Sequence, residues 1–463
     1  LAAYNIINSD TQYFQSFYES LGGSDAARNN DIFSMSYGMN NLGQVPNDEP
    51  TELASIAMYK TGTRLLRNGK GAIYVKAAGN GFDRLGSDMY SVRSCETAIK
   101  YKVSCQDSSM NPDNAMPEVI TVGALNAAGR KSSYSTTGSS LWISAPGGEF
   151  GFDKKWIDEH YTRLGRTLVN WRNYRATIGE PAIVTTDVSG SLQGMSRKVN
   201  LDNPAEIFDI RNAFNAGLVS VNNKHNYTNS MNGTSSATPV TSGAIAVILE
   251  ANPNLTWRDV KYILAKTATK VDPNFAGVKA DLVDSSNATV SFQLDQGWID
   301  NAAGYHFSNW YGFGRVNLEE AVKLASNYTS PLGKYVENPW WPQYKSANIS
   351  LTPGNLNGLE MTTSIPYEQR ATIESVMVEI SADSTYVGDL SLELTSPSGT
   401  RSIIWHAGNA FSSNGNLKDF VIQSNAFYGE MSKGIWKLKL VNTGIHKTPI
   451  VFKGWRLKVV GYN

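Results

Sequence analysis

The chain has 463 residues, with 41 lysines and arginines against 41 aspartates and glutamates, and only 18% of its residues are charged. That length gives two or three domains and ample material for a core. The neutral balance leaves no footprint for nucleic acid or an anionic membrane, and the best apolar run, Gly243 to Ala251, is far short of the roughly 20 residues that cross a bilayer.

The opening, "LAAYNIINSD", carries neither a methionine nor a basic leader and reads as the interior of a larger product. Asp31 to Ser36 reads as a strand. Thr51 to Gly69 has helical apolar spacing and a terminal glycine. Ala72 to Asn80 is a strand running into Gly-Asn. Cys95 and Cys105 lie ten residues apart in a polar loop without histidines nearby. They read as a disulfide in an oxidising compartment, with two free thiols the alternative. Glu118 to Leu125 and Leu141 to Gly148 are further short buried strands. This strand–helix–strand order predicts an α/β fold, a parallel sheet with helices on its faces.

Between Glu149 and about His225 the pattern blurs, apart from a strand-like run at Pro181 to Gly190. The segment is expected to continue the sheet and add a long insertion. Helices return at Ala237 to Pro253 and Thr256 to Ala268, the second capped by Thr256 with Asp259 in its first turn. Val316 to Ser326 is a last helix, and Asn327 to Ser346 reads as a Trp- and Pro-containing connector. After it come alternating segments at 372–381, 388–400, 434–442 and 452–461, which predict an antiparallel β-sandwich. The expected domains are therefore 1–331 and 332–463.

The stretch that carries chemistry is Gly233-Thr234-Ser235-Ser236-Ala237-Thr238-Pro239. A hydroxyl where a helix begins faces unpaired backbone N–H groups and the positive dipole end, which also suit a developing oxyanion. Gly233 permits close approach, Ala237 keeps the site open, and Pro239 is expected in the first helical turn. An N-cap serine on a buried helix is the plainer alternative.

Three segments in order, "AAGN" at 77–80, "GTSSATP" at 233–239 and "YGFGRVNLEEAV" at 311–322, resemble the subtilisin-like serine proteases. The resemblance implies that Ser235 is the nucleophile and that Asn80 donates to the oxyanion. "SMSYG" at 34–38 is similar to the family strand that walls the S1 pocket, which puts Ser36 and Gly38 on the substrate. The second half looks like the P domain of kexin- and furin-type convertases, a jelly-roll sandwich whose expected role is to stabilise the catalytic domain. In that branch an acid stands where this chain has Asn41, and another where it has Thr136. Calcium is a cofactor of the family, but no ligands can be assigned here. The acids left near the pocket are Asp83, Asp107 and Asp113, with Asp113 the best candidate to select a basic P1 residue. The implied partners are peptide or protein substrates and a propeptide or chaperone, and the implied location is secreted or periplasmic.

A serine nucleophile needs a base and a carboxylate to orient it. The family's Asp-Ser/Thr-Gly and His-Gly-Thr motifs are absent. The five histidines are His160, His225, His306, His406 and His446, and none has the family's surroundings. The expectation is that "LAAYNII" is the strand after the family's histidine helix, and that the Asp and His lie on a preceding portion. The rival reading is a pseudoprotease or binding module that has lost both.

Overall fold

The computed structural model describes residues 13–38, 50–83, 95–166, 177–411 and 416–463. Asn41 and the strand expected at 1–7 lie outside these residues.

Four apolar runs make the central sheet: β1 (Ile32–Met35), β2 (Ile73–Ala77), β3 (Val119–Leu125) and β4 (Ile143–Pro146). They lie side by side in chain order, all parallel. β2 and β3 are buried throughout, as strands covered on both faces must be. Helix α1 (Pro50–Leu65) makes the crossover from β1 to β2. The parallel arrangement sends Ser36, Asn80 and the end of β4 to one edge of the sheet, where ligands of open α/β sheets bind.

The 149–225 segment does not continue this sheet, contrary to expectation. It folds around a small core of its own that includes Phe152, Trp156, Ile157, Ile178, Ile207 and Ile210. Two helices supply it: α2 (Lys154–Arg163), whose N-cap Asp153 accepts from Trp156 N, and α3 (Pro204–Ile210), capped by Asn203. The strand β5 (Ile183–Thr186) pairs antiparallel with β6 (Tyr227–Met231) as a two-stranded ribbon. Its alternating exposure suits a surface ribbon, not a strand covered on both faces. Buried Glu149 ties the insertion back, accepting from Ser133 N at 2.7 Å, Ser133 Oγ at 2.8 Å and Thr177 Oγ1 at 3.1 Å.

Helix α4 (Thr234–Ala251) crosses the sheet and buries Ala237, Ile245 and Ile248 against it. Helix α5 (Trp257–Thr267) starts with a full capping box, Thr256 and Asp259 each accepting from the other's backbone N–H. A ribbon of β7 (Gly277–Val283) and β8 (Thr289–Gln296) and helix α6 (Leu318–Ser326) complete this half.

The rest is an all-β sandwich of a five-stranded and a four-stranded antiparallel sheet. Part of the expected connector belongs to it: Tyr335–Glu337 and Trp341–Leu351 both pair with the last strand, Ile450–Tyr462. Trp340 takes the cations of Arg456 and Lys458 over its ring.

The two halves share one apolar core. Trp142 of the α/β half meets Tyr428 of the sandwich edge-on at 5.4 Å. Arg258 forks onto Glu374, with Nε donating at 2.9 and 3.0 Å. Buried Asn425 donates to the carbonyls of Ser140 at 2.9 Å and Leu141 at 3.2 Å, while its Oδ1 accepts from Ser375 and Gln423. Asn425→Ala would strand those groups and is expected to cost about 2–3 kcal/mol. Urea melts followed by tryptophan fluorescence should show the loss with both halves still unfolding in one transition.

Lys261 is also buried at this boundary, with its ammonium on the Pro117 carbonyl and 3.9 Å from the centroid of the Trp142 ring. Burial pulls its pKa down to about 8 from an ordinary value of 10.5. Between those values the unfolded chain holds a proton that the folded chain has released, so stability rises with pH across that window. Below it the ammonium imposes a constant cost of about 3 kcal/mol. Lys261→Met keeps the stem and is expected to gain about 1–3 kcal/mol at pH 7 and to flatten the alkaline rise, read from denaturation at pH 7 and pH 10.

Candidate active site

Gly233 sits before α4 with φ at 107°, a backbone state that glycine adopts without strain. Its N–H donates to Tyr134 Oη at 2.7 Å, and that hydroxyl faces the carbonyls of Gly147 and Gly148. The loop entering the helix is thus anchored to the turn after β4. Ser235 is the second helical residue, so its N–H is among the first four that lack an intrahelical acceptor.

Pro239 falls in the second turn of α4, not the first, because the helix starts at Thr234. A proline there cannot donate to the carbonyl four residues back, which is that of Ser235. Ser36 takes the vacancy: its Oγ donates to Ser235 O at 2.9 Å, and Ser235 Oγ donates to Ser36 O at 3.2 Å.

Asn80 follows β2 and Gly79, whose φ is 113°. Its Oδ1 accepts from Thr234 N at 2.9 Å and from Thr234 Oγ1 at 3.0 Å. Thr234 Oγ1 in turn accepts from Gly79 N at 3.1 Å. A backbone donor on one side of the amide fixes which atom is oxygen and leaves Nδ2 as the outward donor. The point where a Cβ on Gly233 would stand is 3.2 Å from Asn80 Nδ2 and 3.4 Å from Ser235 N. Two nitrogens of different chain segments thus lie close to one point beside Gly233.

Residues Ser36 to Gly38 follow β1 and Ala77 and Ala78 close β2, and the turn at Asn111 to Asn114 touches both segments. Asn114 Nδ2 donates to Ala78 O at 3.3 Å, and the Cβ position of Gly38 is 3.1 Å from Asn111 Nδ2. Asp113 is buried in this turn, 3.6 Å from the ammonium of Lys76. Burial pushes its carboxyl above the usual range and Lys76 pulls it back. Asp107, also buried, accepts from Ser109 N at 2.8 Å and faces His406 at 3.6 Å. Asp83 is half-buried beyond the Asn80 turn.

All five histidines are engaged away from Ser235. His160 Nδ1 lies 2.7 Å from Trp156 O and His225 Nδ1 3.2 Å from Ser196 Oγ. His306 meets Trp298 edge-on at 5.4 Å, and His406 Nε2 is 2.8 Å from Ser104 O. His446, held by Asp389 at 2.6 Å, reaches Thr97 Oγ1 and ties the sandwich to the 96–101 helix.

Among the described residues no three carboxylate, imidazole or thiolate groups converge. Thr136 spends its Oγ1 as acceptor for Gly81 N at 2.9 Å, and Asp107 faces His406. Cys95 and Cys105 are joined as a disulfide, with S–S at 2.07 Å.

Three residues that build the site escaped the sequence reading: Thr234, Tyr134 and Lys76. Thr234 was hidden inside its own motif, and Tyr134 acts across 99 residues. Lys76 did leave a signal, a lysine in the otherwise apolar run "AIYVKAA".

A parallel sheet with Ser235 at a helix start and Asn80 at a strand end on one edge is the layout of a subtilisin-like domain. Residues 3–314 match the subtilase family, Peptidase_S8, and residues 373–459 match the proprotein convertase P-domain. The chain belongs to the subtilase family. It is similar to the Aeromonas extracellular serine protease of Aeromonas sobria, 32% identical over 96% of this chain and 66% of that one. It is 31% identical to kexin of Saccharomyces cerevisiae over 50% of this chain and 26% of kexin. The solved serine protease of Aeromonas sobria superimposes with a TM-score of 0.79 at 29% identity, covering 99% of this chain and 76% of that one. A second structure of that protease, in complex with the chaperone ORF2, gives 0.80 at 28% identity over 99% of this chain and 76% of that one. The chain thus spans about two thirds of the Aeromonas sobria protease and about a quarter of kexin.

Proposed function

We propose that this chain is part of a serine endopeptidase in which Ser235 attacks the peptide carbonyl. Ser235 N–H and Asn80 Nδ2 hold the oxyanion. The observation that carries this reading is the convergence of those two donors beside Ser235, with Asn80 turned outward by Thr234. Each of the five histidines is engaged away from Ser235, so none of them is assigned as its base. Ser36 and Gly38 line the S1 side of the substrate. Asp83 belongs to a loop around it, and Asn41 lies outside the described residues. A moderate preference for basic P1 residues rests on Asp113 as a free acid, and its pairing with Lys76 weakens that basis.

By analogy with the extracellular Aeromonas protease, the protein acts outside the cell, and the chaperone complex of that protease supports a propeptide or chaperone partner here. The calcium-dependent protease of Trichormus variabilis, 26% identical over 86% of this chain and 45% of its own, supports a calcium requirement here. The test is labelling of the natural protein with a fluorophosphonate, then peptide mass spectrometry. A label on Ser235 supports the reading. A chain that binds peptides but takes no label at Ser235 is a binding scaffold instead.

A further inference from the structure

Lys76 is a fully buried lysine in β2, the strand that ends at the oxyanion asparagine. An ammonium taken out of water is costly unless it is paired and hydrogen-bonded. Its bonds lead to the S1 wall. Nζ donates to the Tyr37 carbonyl at 2.6 Å, lies 4.4 Å from the Tyr37 ring centroid and pairs with Asp113 at 3.6 Å. It is 3.9 Å from the Cβ position of Gly38. The ammonium therefore stands directly behind the strand that a P1 side chain lies along, on the acid that a basic P1 residue would seek.

We propose that Lys76 determines P1 specificity: by neutralising Asp113 from within, it sets S1 to take uncharged side chains in preference to lysine or arginine. The inference rests on the reading of residues 36–38 as the S1 wall. A P1 guanidinium or ammonium would meet a carboxylate already paired with Lys76 and a like charge a few ångströms behind it. An uncharged P1 side chain meets no such penalty.

The test uses the natural full-length protein and a peptide series identical except at P1, with Leu, Gln, Lys or Arg there. Two readouts are taken: kcat/KM for cleavable peptides, and affinity by calorimetry for product-like peptides ending in the P1 carboxamide. The wild type should favour Leu and Gln. Lys76→Met removes the like charge behind the wall and should raise the Lys/Leu ratio about 10- to 100-fold, the scale of one charge at close range. Asp113→Asn leaves the lysine alone and should move the ratio the opposite way. The double variant should return near the wild-type ratio, which keeps the test open if one single variant folds poorly. A merely structural pair would lower all P1 peptides together. The proposal is overturned by that uniform loss, by ratios that do not move, or by a wild type that favours Arg over Leu tenfold. Binding ratios that shift as stated while no peptide is cleaved would sink the nucleophile reading and leave the S1 inference standing.

Discussion

Replacing Ser235 with alanine is expected to lower peptide hydrolysis by about a millionfold, the scale on which a subtilase loses activity when its nucleophile is removed. The fold should survive. Ser235 is half-buried at the helix start, and the bonds that anchor the turn come from Gly233, Thr234 and the Ser235 carbonyl. Alanine gives up only the 3.2 Å bond to Ser36 O. Unchanged thermal unfolding together with lost turnover and lost fluorophosphonate labelling would assign the nucleophile. Labelling that persists in the variant would place it on another serine.

The second large effect belongs to Asn80. Asn80→Ala is expected to lower kcat by about 100- to 1000-fold with little change in KM, the loss typical of removing this donor from a subtilisin. The amide has two jobs here. Its oxygen receives Thr234, and its nitrogen, on the proposed reading, serves the oxyanion. Asn80→Asp separates them, since a carboxylate still accepts from Thr234 N and Oγ1 but offers no donor. It should be at least as poor a catalyst as the alanine variant while folding normally. Thr234→Val leaves the donor in place but removes one of the two bonds that aim it, and should cost about tenfold in kcat. An Asn80→Asp enzyme that kept its rate would show that the oxyanion is held by other groups.

The parallel strands and the helix start at Ser235 were legible because their signals are local. A seven-residue run names the helix start, and a buried strand announces itself as a continuous apolar stretch. The sandwich was legible from alternation alone. What escaped depends on contacts between distant segments. The 149–225 insertion is held by Glu149 reaching Ser133 and Thr177, and its helices are short and rich in charge, so no strong period marks them. Pro239 was assigned one turn too early because the sequence does not reveal that Gly233, with its positive φ, is the cap. Asp113 reads as a pocket acid on its own, and only the fold brings Lys76 to it from 37 residues earlier.

The two serines that exchange bonds across 199 residues act as a gauge. On the proposed reading, one belongs to the rail along which a substrate lies, the other to the tool that cuts it. Each holds the other's main chain, so the height of the blade above the rail is fixed to within a hydrogen bond. The setting passes neither through the insertion nor through the sandwich. Loops elsewhere can lengthen, or the outer ribbon can flex, without altering the clearance at the cut. The proline at 239 is what makes the setting available, by keeping the helix from claiming the carbonyl that the rail needs.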